Sequence, residues 1–522
     1  MFYCPCHASG SFFISFRGGG SRDPDNRLSI LSGDVTGNDT NVDGNFIAEA
    51  WNELVNPNCS TVIRAKSGHT LTATNVFDGL VITAGNAIGL QGSENPTTQG
   101  AAVYLNHDGQ PVFKNCLFSG NRGVDHGGAV FIELVSAALL QDPGPFFVNC
   151  DFAGNRCTYW GGAVAIIGGE TVFEDCHFTG NDSRNGSAVH HRSGGGDMRF
   201  RRCEFLANAN ISGGTGGTIF ADQGSYTEME NCLIAGNDGV GIVHMGGMKL
   251  YGITIAGNDG APIAVSGTGS LFTWNSVFWN NTSDFSDTPG GQLPEFHHSL
   301  VESYSHTAPG FSNNGNLDGT DSSNDPDFVA SASPGAAPFS SGNYRLNFNS
   351  PVMSVGDNDE VHSGPDLAGS PRISGHTVDL GCYEYQLPDS DNDGLSDAFE
   401  LAHTTPPSAT SLHPSSNLDG DPFTALQEFA FDLDPNIAEA SDLAYYTEWN
   451  TALQRLDLYW TPNPDAFHYL RIIPEASNDL GITDPWFETA IKLGNSPGEF
   501  RASTQTIVPR PEMQYLRLRV EN

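Results

Sequence analysis

The sequence predicts an all-β chain whose main body is a right-handed parallel β-helix, and three observations predict it. The first is a recurring phrase: an apolar residue, two polar residues, Cys, a spacer, Phe or Ile, a spacer, Gly or Ala, then Asn. It reads Phe113, Cys116, Phe118, Gly120, Asn121 and returns as Phe147, Cys150, Phe152, Gly154, Asn155. Further copies end at Asn181, Asn208, Asn237, Asn258 and Asn281, and a looser one ends at Asn86. The second is spacing, because the steps from Asn121 to Asn281 are 34, 26, 27, 29, 21 and 23 residues. The third is a phrase of small residues that follows the Asn and opens a short apolar strand, as in Gly127-Gly128-Ala129-Val130 and Gly161-Gly162-Ala163-Val164.

Each unit therefore holds about three strands too short to bury a face alone. Stacked units solve this by pairing each strand with its copy one turn away, about 4.8 Å along the axis. The repeated Asn fits the bend, since Asn tolerates left-handed backbone and can hydrogen-bond to its copy on the next rung. Variable steps are expected of rungs that keep their strands and insert loops at a corner. The repeating Cys sits two residues before an inward Phe or Ile, which reads as a ladder of small buried thiols and not as a zinc pattern.

Four segments follow. Residues 1–26 carry no rung pattern and are read as a truncated start. Residues 27–386 are the β-helix with a closing rung, residues 387–438 an EF-hand-like calcium-binding linker, and residues 439–522 a small C-terminal β-sandwich. The sandwich reading rests on alternating strands such as Leu456-Asp457-Leu458-Tyr459-Trp460 and Tyr515-Leu516-Arg517-Leu518-Arg519-Val520. Trp460 and Trp486 are candidates there for sugar stacking or for core aromatics.

The linker carries a calcium pattern. Asp389, Asp391, Asp393, Asp397 and Glu400 occupy loop positions 1, 3, 5, 9 and 12, with Gly394 at the turn and Leu395 offering a carbonyl. Carboxylates at this spacing repel one another unless a cation sits among them. A second loop is degenerate: Asn417, Asp419, Asp421, Phe423 and Glu428 fill the ligand positions, but Pro422 stands where the turn glycine belongs. Ca²⁺ is the expected cofactor, stiffening the linker and coupling its folding to extracellular calcium.

Charge excludes whole classes. The 23 Lys and Arg against 61 Asp and Glu give a net charge of −38. Such a surface repels phosphate backbones and anionic lipid, so nucleic acid and basic-patch membrane binding are excluded. It also argues against avid capture of acidic glycans. No apolar run reaches the roughly 18 residues of a spanning helix. The expected partner is an extracellular polysaccharide or a surface protein, engaged by a monomer.

The Cys-x-Phe-x-Gly-Asn and Gly-Gly-Ala phrases resemble the polymorphic outer-membrane protein repeats of bacterial surface β-helices. The stretch 349–357 with Asp379-Leu380-Gly381-Cys382-Tyr383-Glu384 resembles the closing pattern of choice-of-anchor Q proteins, with Ser354 in place of an Asp and Cys382 in place of an Ala. The paired acidic loops resemble thrombospondin type 3-like linkers. The resemblance implies a secreted or cell-surface protein of the pectin-lyase-like fold, with more rungs upstream, and leaves activity open.

Two functions compete: a non-enzymatic adhesion or interaction scaffold, and a polysaccharide lyase or glycoside hydrolase. The Gly-His-Gly and Asp-Asp elements of polygalacturonase-like sites are missing. The catalytic candidates are His190 and His191 with Arg199 and Arg201, cations that could hold a uronate beside a histidine base. Asp197, Arg202, Asp222 and His244 lie nearby in the pattern. The competing reading is that these arginines neutralise an acidic field.

Overall fold

The computed structural model describes residues 29–521 outside a set of short stretches, the longest being 66–72, 90–97, 134–142, 439–444, 478–486, 494–499 and 504–514. It divides into two compact units, residues 1–370 with 380–384 and residues 371–379 with 385–522.

The first unit is a coil of parallel strands. Three long sheets run along it, with ten, nine and nine strands among the described residues. Sheet 1 starts at Ser29–Ser32 and ends at Leu300–Val301; sheet 2 runs from Ile63–Arg64 to Ser286–Asp287; sheet 3 runs from Val76–Asp78 to Glu295–His297. Every pairing in them is parallel and joins a strand to its copy one turn on, such as Phe118↔Phe152↔Phe178↔Phe205. A fourth sheet of two-residue strands lines one corner of five turns.

Phe113, Phe147, Phe173 and Phe200 stack 5.0–5.1 Å apart down the lumen, and Phe118, Phe152, Phe178 and Phe205 stack at 4.7 Å beside them. All eight are fully buried. The thiols of Cys116, Cys150, Cys176 and Cys203 lie between these columns and each donates to a Phe carbonyl of the previous turn. Burial pushes the Cys203 and Cys232 thiols up, and Cys157 to about 12, so these are packing groups.

The Asn ladder forms as the spacing requires. Each Nδ2 of Asn121, Asn155, Asn181, Asn208, Asn237 and Asn258 donates to the Oδ1 of the next copy at 2.9–3.0 Å. The same Oδ1 also accepts the backbone N–H of the previous Asn, for example Asn155 N to Asn181 Oδ1 at 3.1 Å. The left-handed backbone, however, falls on the residue before each ladder Asn. Gly120 and Gly154 have φ of 60° and 58°. A Cβ at Gly154 would come 2.1 Å from the Glu49 carbonyl, so glycine is required there twice over. A separate column of positive φ precedes the cysteines, at Asn115, Asn149, Asp175, Arg202 and Asn231.

Two non-repeating segments lie on the outer face of sheet 1. Residues 47–51 cross its first turns, where Ser119 Oγ donates to the Ala48 carbonyl at 2.8 Å and Trp51 N to the Gly154 carbonyl at 3.0 Å. Tyr344, Cys382 and Tyr383 cover later turns, packed on Leu233, Ala235 and Ala256. The stretch expected to form a closing rung instead lies against the coil's flank: Gly381 N donates to the Asn275 carbonyl and Cys382 N to Thr254 Oγ1.

The second unit pairs two acidic loops with two antiparallel sheets, of four and three strands among the described residues. The strand Tyr445–Asn450, which the sequence reading did not assign, pairs with Arg455–Trp460. Helices α1 (Asp397–His403) and α2 (Ala425–Phe431) each exit a loop. Seven residues cannot sustain a free helix, and both are held by packing. Phe399 meets Phe429 at 4.8 Å, and both share one core with Leu458, Trp460 and Tyr469. The acidic segment is thus integral to the β module and no free spacer. Trp460 is buried within that core, and Trp486 lies outside the described residues.

Candidate functional site

In the first acidic loop, carboxylate oxygens of Asp389, Asp391 and Asp393 lie within 4.8 Å of one another. The backbone makes this crowding. Asp389 accepts the amides of Asp393 (3.2 Å) and Gly394 (2.9 Å), Asp393 accepts Leu395 N (3.0 Å), and Gly394 turns the chain at a φ of 94°. Asp397 is turned back on the loop, accepting Ser390 N and Oγ at 2.7 Å each. Leu395 is buried in the module core.

Glu400, expected to close the loop from α1, lies outside that 4.8 Å cluster but near enough to feel the charges of Asp391 and Asp393. Its side chain is fully buried; Oε1 accepts Leu412 N at 2.9 Å and Oε2 has no hydrogen-bond partner among the described residues. Burial, with Asp391, Asp393 and Asp397 close by, pushes this carboxyl up. An uncompensated buried carboxylate is costly unless it is paired or meets a metal.

The second loop repeats the plan. Asp419, Asp421 and Glu428 bring carboxylate oxygens within 4.8 Å. Asn417 Oδ1 accepts Gly420 N at 2.7 Å, so this side chain braces the turn. Gly420, with a φ of 83°, supplies the bend that Pro422 cannot. Phe423 and Glu428 are buried. Both clusters are all-oxygen and suit a hard cation. They could hold a metal ion, and the donor set includes no Cys or His.

The catalytic candidates on the coil do not converge. His190 points outward from sheet 2 and is 2% exposed; its Nε2 is 4.0 Å from Asp222 Oδ2. Its neighbour His191 points into the lumen, fully buried, as does His244 two turns on. Burial lowers His190 to about 3 and both His191 and His244 to about 4, so all three are neutral at pH 7. Arg199 and Arg201 stand on the outer face of sheet 3, alternating with buried Met198 and Phe200. Arg199 pairs with Glu170 (2.9 Å) and Asp197 (3.6 Å), and Arg201 with Glu230 (3.6 Å). Arg202 clamps Glu174 and Asp175 at 2.6 and 2.7 Å. The arginines neutralise the acidic field of their own face.

His191 has no hydrogen-bond partner on either ring nitrogen among the described residues. Its column carries Leu105, Ile132 and Ile166 on the preceding turns, then Ala221 and His244. His191→Leu should therefore raise the coil's stability by about 1–3 kcal/mol. A denaturant midpoint that falls instead would show the imidazole to be partnered by internal water.

One cluster escaped the sequence reading. Asp151, His177 and Glu204 are adjacent outward residues of sheet 1. His177 Nδ1 is 2.9 Å from Asp151 Oδ1 and Nε2 is 3.8 Å from Glu204 Oε2. The Asp151 hydrogen bond, with Glu204 adding, raises the His177 pKa. Only the turn of His177 is open: Gly180 is exposed and a Cβ there would meet nothing nearer than 4.0 Å, whereas Trp51 N donates to the Gly154 carbonyl on the Asp151 turn and Tyr383 Oη donates to Glu204 Oε1 at 3.3 Å. Only their shared place in the repeat, two residues N-terminal to Ala153, Thr179 and Leu206, could have revealed them.

Residues 34–283 match the family profile described as "Right handed beta helix region". The coil is a right-handed parallel β-helix. Among solved structures, that of pectate lyase Pel9A is similar at 13% identity, covering 55% of this chain and 71% of that one with a TM-score of 0.28. No curated protein matches the chain.

Proposed function

We propose that this is a secreted or cell-surface β-helix scaffold that engages an extracellular partner without cleaving it, with Ca²⁺ as the structural ion of its C-terminal module. The observation that carries the scaffold reading is the separation of His190 and His191, buried on two sides of sheet 2, from Arg199 and Arg201, ion-paired on sheet 3. The buried Oε2 of Glu400 beside three clustered aspartates supports the cation, and the loop spacing favours Ca²⁺ over Mg²⁺. Cys59 is disulfide-bonded, which accords with an oxidising compartment. The resemblances to polymorphic outer-membrane protein repeats, choice-of-anchor Q proteins and thrombospondin type 3-like linkers point the same way.

The second reading, polysaccharide cleavage, is favoured by the Asp151, His177 and Glu204 ladder, whose His177 lies on an open turn. The experiment is a reducing-end release assay on neutral and acidic polysaccharides with Ca²⁺ present. The scaffold reading expects no new ends. Release that disappears in a His177→Ala/Glu204→Gln variant would overturn it and make sheet 1 the catalytic face.

A further inference from the structure

At one corner of the lumen, the last inward residue of each sheet 2 strand stands beside the first inward residue of the sheet 3 strand that follows it. Three consecutive turns place His191 with Met198, Ala221 with Thr227, and His244 with Met248 at this corner. All six are exposed by 1% or less. The sheet 2 column is aliphatic at Leu105, Ile132 and Ile166, and Val265 resumes that character after His244. Two histidines on either side of an alanine therefore interrupt an otherwise apolar file.

Both ring nitrogens of His191, Nδ1 of His244 and Oγ1 of Thr227 are buried with no hydrogen-bond partner among the described residues. Buried polar atoms are paired with few exceptions, and an exception points to a water or an ion. His244 Nε2 lies 3.1 Å from the Ser270 carbonyl, so Nε2 carries the proton and Nδ1 is a bare lone pair. A histidine oriented through its other nitrogen by a backbone carbonyl is the usual arrangement of a metal ligand. Burial lowers both rings to about 4, so neither has to lose a proton to coordinate.

We propose that His191, Met198, His244 and Met248 bind one Cu(I) ion in the lumen, beside Ala221. Two turns separate the histidines, about 9.6 Å at the backbone, a gap that two imidazoles with one ion between them can span. Ala221 keeps the intervening turn clear of a bulky side chain. Imidazole suits copper, and thioether selects its monovalent state. All four ligands are neutral, so the lumen takes up the ion's whole charge. One charge costs far less to bury than two, which disfavours Zn²⁺ and Ca²⁺ here. The site is independent of the acidic loops, which lie in the other unit and offer oxygen donors. The thiol ladder stands at the far end of the sheet 3 strands, beyond Phe173 and Phe200. The cost of burying these rings unpaired, which His191→Leu should relieve in the ion-free protein, is what the ion offsets.

No member of the set reaches the surface, so the test loads the full chain while it refolds from denaturant, without oxygen, with Cu(I) supplied as its acetonitrile complex. One copper per chain should survive desalting, the coil's melting transition should rise, and X-ray absorption should show both nitrogen and sulfur neighbours. His191→Leu and His244→Leu should each weaken binding about a hundredfold, read by competition with bicinchoninate, and abolish the rise. Met198→Leu/Met248→Leu should weaken it about tenfold. Each variant is compared with and without copper, which separates loss of the site from a change in the variant's own stability. Copper bound undiminished by both histidine variants would place it on the cysteines and overturn the site. A coil transition indifferent to Cu(I) would overturn it too and leave internal water as the partner of the rings. An equal rise with Zn²⁺ would overturn the choice of a soft monovalent ion.

Discussion

Asn181→Leu should destabilise the β-helix by about 2–6 kcal/mol, the largest effect expected of a single polar side chain in the coil. Asn181 is fully buried and makes four contacts at once. Its Oδ1 accepts Asn155 N (3.1 Å) and Asn155 Nδ2 (3.0 Å), and its Nδ2 donates to the Phe152 carbonyl (2.8 Å) and to Asn208 Oδ1 (3.0 Å). Leucine fills similar space but orphans the Asn155 amide, at about 1–3 kcal/mol, and strips one hydrogen bond each from Asn155 Nδ2 and from the Phe152 carbonyl, which keeps its sheet partner, at about 0.5–1.5 kcal/mol apiece. Asn155 Nδ2 retains the Phe118 carbonyl and Asn208 Oδ1 retains Asn181 N, which keeps the loss from doubling. The measurement is the denaturant midpoint of the coil's transition. An unchanged midpoint would show that the ladder directs register without adding stability.

Withdrawing Ca²⁺ should unfold the second unit at lower temperature and leave the coil's transition in place. An ion held about a thousandfold above its Kd contributes roughly 4 kcal/mol. That contribution cannot stay local, because α1 and α2 leave the acidic loops and enter the core that holds Trp460. Chelation should therefore shift the Trp460 environment as well as the loops. Glu400→Gln keeps an acceptor for Leu412 N but removes the buried charge, so it should reproduce the chelator's effect and abolish the response to added Ca²⁺. A melting profile indifferent to both chelator and Ca²⁺ would sink the structural-ion reading, and an equal gain from Mg²⁺ would reassign the ion.

The coil was legible because its signals repeat. A Phe every turn, a Cys beside it and an Asn at the bend each carry one instruction several times over, and the columns stack as that repetition demands. What stayed hidden lies in single-copy features. Residues 47–51 cross sheet 1 through backbone carbonyls of Ala48 and Gly154 and an Ala48 amide, which leave no trace in side-chain pattern. The His190, His191, Arg199 and Arg201 group looked compact in sequence. Alternation along a strand put the two histidines on opposite sides, and a corner put the arginines on another sheet. The acidic loops were readable from spacing alone. Their place in the β module was not, because it depends on Phe399 and Phe429 meeting across 30 residues of chain.

The Asn ladder also gives the coil a direction. Between copies, every amide from Asn121 to Asn258 donates to the next Asn, while its second N–H turns back to a carbonyl of the previous turn. Six aligned amide dipoles polarise one another along the axis. The β-helix is therefore a polar filament with unlike ends. At the far end the ladder stops, because Asn281 Nδ2 turns back to the Ile255 and Trp279 carbonyls although sheet 1 runs one turn further to Leu300–Val301; at the near end the turn before Asn121 brings a donor, Gly85 N. Growth, truncation or grafting of turns is thus not interchangeable between the two ends, even where the repeat sequence is the same.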